Sequence, residues 1–256
     1  MSLLILASNR LLKISGVLIK AFSYIFHFIF PNKRFTIPHA SPALRKKDKD
    51  IKVPKIIWQT NYTNKVSLPV YINYLVNRWI SPDFEYRYMG HEDREEFIKE
   101  NAPQEIIDAF DKLTDGAAQA DLWRLFVLNY YGGVYMDIDA HSVWSISDML
   151  NADDNYCFLL NKEHFTNYFI ASTPNNLYLQ KAIDLIVENI KQRNIEDGVY
   201  SLTGPIVLNR VIGDNQVTHR YYKETCIQGS FTNEYFQYID KPRGKWTHVK
   251  NEDLLK

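Results

Sequence analysis

A chain of 256 residues that is 46% apolar and 14% aromatic, with 17 Tyr and 14 Phe, holds material for one substantial core and one main domain. Thirty basic residues balance thirty acidic ones, so the chain lacks the global positive field that would hold a polyanion, and no nucleic-acid partner is expected. Cys157 and Cys226 are too few for a disulfide framework and lack metal-site spacing, which fits two packed thiols in a reducing compartment.

Residues 3–30 are apolar and aromatic, but Arg10, Lys13 and Lys20 interrupt them. No uncharged run approaches the roughly 20 residues a spanning helix prefers. Wound at the α-helical period, Ser2, Asn9, Lys13, Gly16, Lys20, Ser23 and His27 fall on one narrow stripe with Arg10 at its edge, while Leu, Ile, Val and Phe cover the remainder. The pattern predicts an N-terminal amphipathic helix over residues 1–30 that lies in a membrane interface, its cationic stripe toward anionic headgroups. A helix packed on the protein's own core or on a partner, and an uncleaved signal anchor, are the alternatives. Residues 31–50 carry prolines at 31, 38 and 42 and the run Arg45-Lys46-Lys47, and read as a linker that keeps the body, residues 51–256, near the bilayer.

From Ile51 the pattern alternates. Strands are predicted over 55–59 and 84–89, helices over 68–79, 92–101, 104–113 and 117–131, and a further strand over 133–137. Pro103 is placed to start the helix that follows it. Repetition of this kind predicts an α/β fold with a mostly parallel central sheet flanked by helices, which binds ligands at the carboxyl ends of its strands.

One such end carries the strongest motif. Asp121 and Arg124 are three apart on a helix and share one face, whereas Trp123, Phe126, Val127 and Tyr130 are free to fill the core. Gly132-Gly133 permits a tight reversal into the next strand. Asp137 and Asp139 then straddle Ile138 where that strand runs out, and such oxygen ligands suit a hard divalent cation with open positions for phosphate. A cation there neutralises charge that builds on a departing nucleoside diphosphate. An Asp-x-Asp triplet alone also fits two solvated acids, a helix cap, or the opening of a haloacid-dehalogenase phosphatase; in the last the pair normally lies on the first strand with Thr or Val two residues later, whereas Ala140-His141 follows here.

The stretch from Asp121 to Asp139, as Asp-x-x-Arg and then Gly-Gly-x-Tyr-x-Asp-x-Asp, resembles the DXD-motif sugar-binding region of glycosyltransferase family 32, including its bacterial capsule and lipopolysaccharide members, and the related clostridial glucosylating toxins. The likeness extends to residues 53–60, similar to the family's first strand, and to Thr203-Gly204-Pro205, similar to a motif of its later half. It implies a GT-A type, Rossmann-like nucleotide-sugar-binding fold, a retaining mechanism, and Mn²⁺ or Mg²⁺ as cofactor. By position, Asp137, Asp139 and Arg124 are the implied catalytic residues. Asp139 is a direct metal ligand, and Asp137 contacts ribose or sugar, directly or through the metal. Asp121 and Arg124 orient the donor sugar and its phosphate, and Tyr135 lines the nucleotide pocket. An ion pair between Arg124 and Asp121, and core packing of Tyr135, are the structural alternatives.

The family often has His at the position of Trp58 and an aromatic at that of Asn61. Trp58, beside Gln59 in the donor site, is therefore expected to stack on the base, with core packing as its alternative. Near the C-terminus Trp246 matches a tryptophan that closes over the phosphates. Lys245 replaces a serine there and offers a charge to the diphosphate. His248 is a candidate third metal ligand, set against an ordinary surface or core role. Asn167 is expected to face the acceptor or to make a structural hydrogen bond.

The resemblance implies transfer of a hexose from UDP-hexose or GDP-mannose to a glycan or lipid-linked saccharide, in capsule or lipopolysaccharide synthesis. The implied place is the cytoplasmic face of the inner membrane, with the protein peripheral; a Golgi lumen, where Asn61-Tyr62-Thr63 would be open to glycosylation, is the alternative. A non-catalytic membrane-surface module that binds nucleotide or glycan is the reading from another functional class.

Overall fold

Side-chain alternation along the strands sorts the core into two layers. In strand Ile56–Thr60, Ile57 faces one layer and Trp58 the other; in strand Gly133–Met136, Val134 and Met136 face the first and Tyr135 the second. The computed structural model describes residues 3–46, 49–242 and 244–256, so Ser2 of the polar stripe, Lys47 of the basic run and Arg243 lie outside the described residues.

Among the described residues seven strands form the main sheet, in the order His219–Tyr221, Tyr156–Asn161, His164–Ser172, Gly133–Met136, Ile56–Thr60, Glu85–Met89, Ala40–Ser41. His164–Ser172 and Ala40–Ser41 run against the other five, which point the same way, so the sheet is mostly parallel. Helices α3 (His91–Asn101), α4 (Gln104–Lys112) and α5 (Gly116–Tyr131) join helix Leu177–Lys191 on the Trp58 side, while α2 (Leu68–Ile80) covers the Ile57 side. Each predicted helix and strand between residues 55 and 137 is present within about a residue or two of its expected ends.

Helix α5 starts where Asp115 accepts the N–H groups of Ala117 and Ala118 at 2.9 and 3.0 Å. Leu122, Trp123, Val127 and Leu128 are fully buried along it, and burial on this scale stabilises by about 2 kcal/mol per large side chain. Tyr130, expected in the core, is 46% exposed.

Two N-terminal expectations need correction. The segment 31–50 is not a free linker: Phe35–Thr36 pairs with Lys65–Val66, Ala40–Ser41 forms the sheet edge, Ile37 is fully buried, and Arg34 pairs with Asp240. Its prolines interrupt the strands without freeing the chain, because the flanking residues find backbone partners. The helix predicted for the N-terminus exists as α1 (Leu3–Ile29), but most of its polar stripe turns inward: Asn9, Gly16, Ser23 and His27 are buried against the body, while Arg10 and Lys13 at its edge stay exposed.

Candidate active site

Strand geometry and two glycines place the acidic pair. Gly132 and Gly133 have φ of +70° and +109°, and a Cβ on Gly133 would stand 2.7 Å from the Ile56 carbonyl oxygen. The reversal they form aims Gly133–Met136 along Ile56–Thr60, and the chain leaves the sheet at Asp137. Buried amides then fix the turn. Gln59 Nε2 donates to the Asp137 carbonyl at 2.8 Å, and Asn73 Nδ2 donates to the carbonyls of Ile138 and Ala140, both at 2.9 Å.

Around this turn the charged residues converge. Arg124 is 5% exposed and contacts Asp121 Oδ1 at 3.0 Å and Asp137 Oδ1 at 3.1 Å. Its other contacts are the carbonyls of Ala120 and Asn167, and its guanidinium carbon lies 4.4 Å from the Tyr135 ring centroid. Burial opposes the Arg124 charge, but Tyr135, Asp137, Asp121 and Asp139 together raise its pKa above the ordinary arginine value. Burial pushes the Asp121 carboxyl up to about 7, with Arg124 pulling the other way. Asp121 accepts from Asn167 Nδ2 at 2.9 Å and from Thr203 Oγ1 at 3.0 Å, so the Thr203-Gly204-Pro205 stretch reaches the site through its hydroxyl.

Asp137 and Asp139 differ. Asp137 Oδ1 is occupied by Arg124 and by the Tyr135 hydroxyl at 2.6 Å, and Oδ2 accepts from Gln228 Nε2 at 2.7 Å. Asp139 takes a single side-chain contact among the described residues, Gln228 Nε2 at 3.3 Å. Burial, and then repulsion from Asp137, push the Asp139 carboxyl up to about 7. Asp139 therefore has the greater share of open coordination, and Asp137 contributes one oxygen backed by a buried arginine.

Both carboxylates line a cleft of about 490 Å³ at the carboxyl ends of the strands. Asp121, Arg124, Tyr135, Asn167, Lys245 and Trp246 line it too. Lys245 is paired with Glu234 at 3.0 Å, and Trp246 lies on Tyr200 with centroids 5.9 Å apart. Asn167 is held by Asp121, the structural alternative, while still bordering the cleft.

Three expected site residues are elsewhere. Trp58 is 4% exposed, packs among Trp123, Tyr131 and the α3 and α5 side chains, and donates its indole N–H to the Gly132 carbonyl at 2.9 Å; it is outside this cleft and does not stack on a ligand there. Its side chain leaves the middle of the strand, whereas the cleft lies beyond the strand's end. Gln59 is fully buried between the Asp137 carbonyl and the Tyr86 hydroxyl, so it positions the turn and does not touch a donor. His248 bonds Glu234 at 2.9 Å, and among the described residues no group of three or more His, Cys, Asp or Glu side chains is placed to hold a metal.

Sequence reasoning missed four cleft residues. Tyr62 follows the strand end and stacks on Tyr238 with centroids 6.1 Å apart, an aromatic wall where Trp58 was expected. Gln228 comes from a distant segment, and no local signal marks it. Arg94 is 3% exposed, donates to Thr60 Oγ1 at 3.0 Å, makes no ion pair among the described residues and leaves its Nε without a partner. Burial pulls its guanidinium down to about 10. An uncompensated cation in a cleft is suited to an anionic ligand group.

The chain is similar in part to known glycosyltransferases. The model of the glycosyltransferase sugar-binding region containing the DXD motif matches residues 69–159. A mannosyl phosphorylinositol ceramide synthase of Saccharomyces cerevisiae is 36% identical over 96 residues, covering 34% of this chain and 22% of that protein. An uncharacterized glycosyltransferase of Acanthamoeba polyphaga mimivirus is 29% identical over 129 residues, covering 49% of this chain and 50% of that protein. The chain thus spans between about a fifth and a half of the length of these curated relatives. Among solved structures, the ligand-free glycosyltransferase domain from the YGT toxin superposes with a TM-score of 0.53 at 11% identity, over 72% of this chain and 82% of that one. The PaToxG glycosyltransferase gives 0.50 at 22% identity, over 63% and 69%. The solved structures show a shared GT-A-like fold, and the sugar-binding-region match supports a role in glycosyl transfer.

Proposed function

We propose that this chain transfers a hexosyl group from a nucleoside diphosphate sugar, UDP-hexose or GDP-mannose, to a hydroxyl of a glycan or glycolipid, with retention at the anomeric carbon. The observation that carries the reading is the convergence of Asp121, Arg124, Asp137 and Asp139 on one strand-end cleft, with Asp139 left open to it.

The oxygen-only pair of Asp139 and Asp137 Oδ2 suits Mn²⁺ or Mg²⁺, which when bound supplies Lewis-acid neutralisation of a diphosphate. Arg124 holds the Asp137 carboxylate in place at the cleft. Asp121 and Asn167 border the space a sugar would fill, and Arg94, Lys245 and Trp246 surround its phosphates. The Tyr62 and Tyr238 rings form the surface for the base. In the reaction the bond between anomeric carbon and phosphate oxygen breaks, the acceptor oxygen bonds the same face of that carbon, and the acceptor proton passes to the leaving diphosphate.

The yeast relative is named a mannosyl phosphorylinositol ceramide synthase, which supports a lipid-borne hydroxyl as acceptor here; capsule and lipopolysaccharide intermediates belong to the same chemical class. Nucleotide release by the purified full chain, measured across UDP- and GDP-hexoses with Mn²⁺ and with chelator, tests the reading. Metal-dependent release from one donor class is expected; no release from any donor would overturn it.

The non-catalytic module has one observation in its favour, because Asp137 is already clamped by a buried arginine. It predicts calorimetric binding of a nucleotide sugar with no turnover on any acceptor.

A further inference from the structure

Helix α1 is oriented opposite to a soluble amphipathic helix. Several of its polar residues face the body: Ser8 Oγ donates to the Val143 carbonyl and Asn9 Nδ2 to the Lys223 carbonyl, both at 2.7 Å, and Lys20 Nζ donates to the Gly229 carbonyl at 2.9 Å. His27 Nε2 accepts the Leu68 N–H at 3.1 Å, and Gly16 lies so close that a Cβ there would stand 2.3 Å from the Ser230 carbonyl oxygen. The outward ridge is apolar, with Leu11, Leu18 and Ile25, seven residues apart, at 65%, 66% and 60% exposure and Phe28 at 87%, while the exposed Arg10, Lys13 and Ser15 stand along its flanks. A helix of 27 residues extends about 40 Å, and a soluble monomer does not leave a continuous apolar ridge of that length in water.

Charge says what covers it. Between residues 1 and 47 the sequence has Arg10, Lys13, Lys20, Lys33, Arg34, Arg45, Lys46 and Lys47 and no acidic residue, although the whole chain is neutral. A second copy of this chain would bring the same cations together across the ridge, whereas an anionic lipid surface complements them. Tyr24 and Tyr235, each half-exposed and stacked with centroids 5.7 Å apart, stand at the ridge's flank, where amphipathic rings suit the headgroup level.

We propose that the outer face of α1 is seated in an anionic lipid bilayer with the helix axis parallel to the membrane plane. The polar contacts run from Ser8 to His27, about 30 Å of helix. Turning the helix across the bilayer would break all of them and carry Asn9, Lys20 and His27 into hydrocarbon. The segment that receives α1 is also a wall of the cleft. Gly229, Ser230 and Phe236 meet the helix, while Gln228 meets Asp137 and Asp139 and Glu234 lines the cleft. On the transferase reading, this puts the cleft one segment away from a lipid-linked acceptor; the bilayer contact itself does not depend on that reading.

The test uses the full chain and vesicles of phosphatidylcholine with and without phosphatidylglycerol. Cys157 and Cys226 are buried, so nitroxide labels on single Leu11→Cys, Leu18→Cys and Ile25→Cys variants report their own positions. Co-flotation with the anionic vesicles and equal immersion depths of the three labels are expected. Depths that step by about 10 Å per label would show a spanning helix and overturn the in-plane seat. A protein that ignores both vesicle types, or that sediments as a dimer with its labels in mutual contact, would overturn the lipid partner. Leu18→Glu with Ile25→Glu changes exposed positions, so folding measured by circular dichroism should be kept while vesicle affinity falls by about tenfold or more. Unchanged affinity in that variant would also overturn it.

Discussion

Replacing Arg124 with Ala strands two carboxylates at once. The guanidinium holds Asp121 at 3.0 Å and Asp137 at 3.1 Å, ties Ala120 and Asn167 through their carbonyls, and lies on the Tyr135 ring. Removing one partner of a buried ion pair costs about 3–5 kcal/mol, because the partner's charge remains without compensation. For a domain of this size that corresponds to a fall in Tm of about 10 °C or more. Asp121→Asn removes one of the stranded charges, so the Asp121→Asn/Arg124→Ala pair should lose less than the sum of the singles by about 1–2 kcal/mol. Asp121 already has its carboxyl pushed up to about 7, and without Arg124 the protonated form is favoured further. A raised folded-state pKa in an acid favours folding at low pH, so Arg124→Ala should regain stability as the pH is lowered from about 8 to about 5. Urea unfolding of the four proteins at both pH values measures each quantity. A loss below about 1 kcal/mol for Arg124→Ala, or strict additivity of the pair, would refute the account of this network.

Trp58→Phe should lower stability by about 2 kcal/mol through the orphaned Gly132 carbonyl while leaving the donor KM unchanged, whereas Tyr62→Ala should raise that KM by about tenfold; steady-state kinetics with urea melts separate the two roles. Gly133→Ala places a Cβ 2.7 Å from the Ile56 carbonyl at a φ of +109° and should cost about 3 kcal/mol, read as a shifted urea midpoint. His27 has its pKa lowered, first by burial, so it sits neutral and accepts from Leu68. A depressed folded-state value gives stability that is present above the unfolded value and lost as pH falls through the folded one, so the protection factors of α1 amides, taken relative to the intrinsic exchange rate at each pH, should fall on acidification, and less so in His27→Gln.

Where the chain's signal is local, it was legible. The Gly132-Gly133 reversal, the face shared by Asp121 and Arg124, and the strand that ends at Asp137 all follow from spacing within about twenty residues. Trp58 was misplaced because a strand's alternation gives which residues share a side but not how far the strand runs before a ligand is met; the cleft begins at Thr60. Arg94 and Gln228 were invisible, since each reaches the site from a segment with no motif of its own. The polar stripe of α1 was located correctly and turned the wrong way. Periodicity cannot tell whether Asn9 and Lys20 bond water or the carbonyls of Lys223 and Gly229, and only tertiary packing decides.

The central claim is that Asp139, the acid left open to the cleft, is needed for transfer from a nucleoside diphosphate sugar. Asp139→Asn keeps the shape of the side chain and removes its charge. Donor turnover by this variant and the wild type, in Mn²⁺ and with matched thermal melts, measures the claim directly. A loss of about a hundredfold or more with an unchanged melting temperature is predicted, in the range that a removed electrostatic stabiliser gives. Turnover within about threefold of the wild type, a barrier change below 1 kcal/mol, would contradict it.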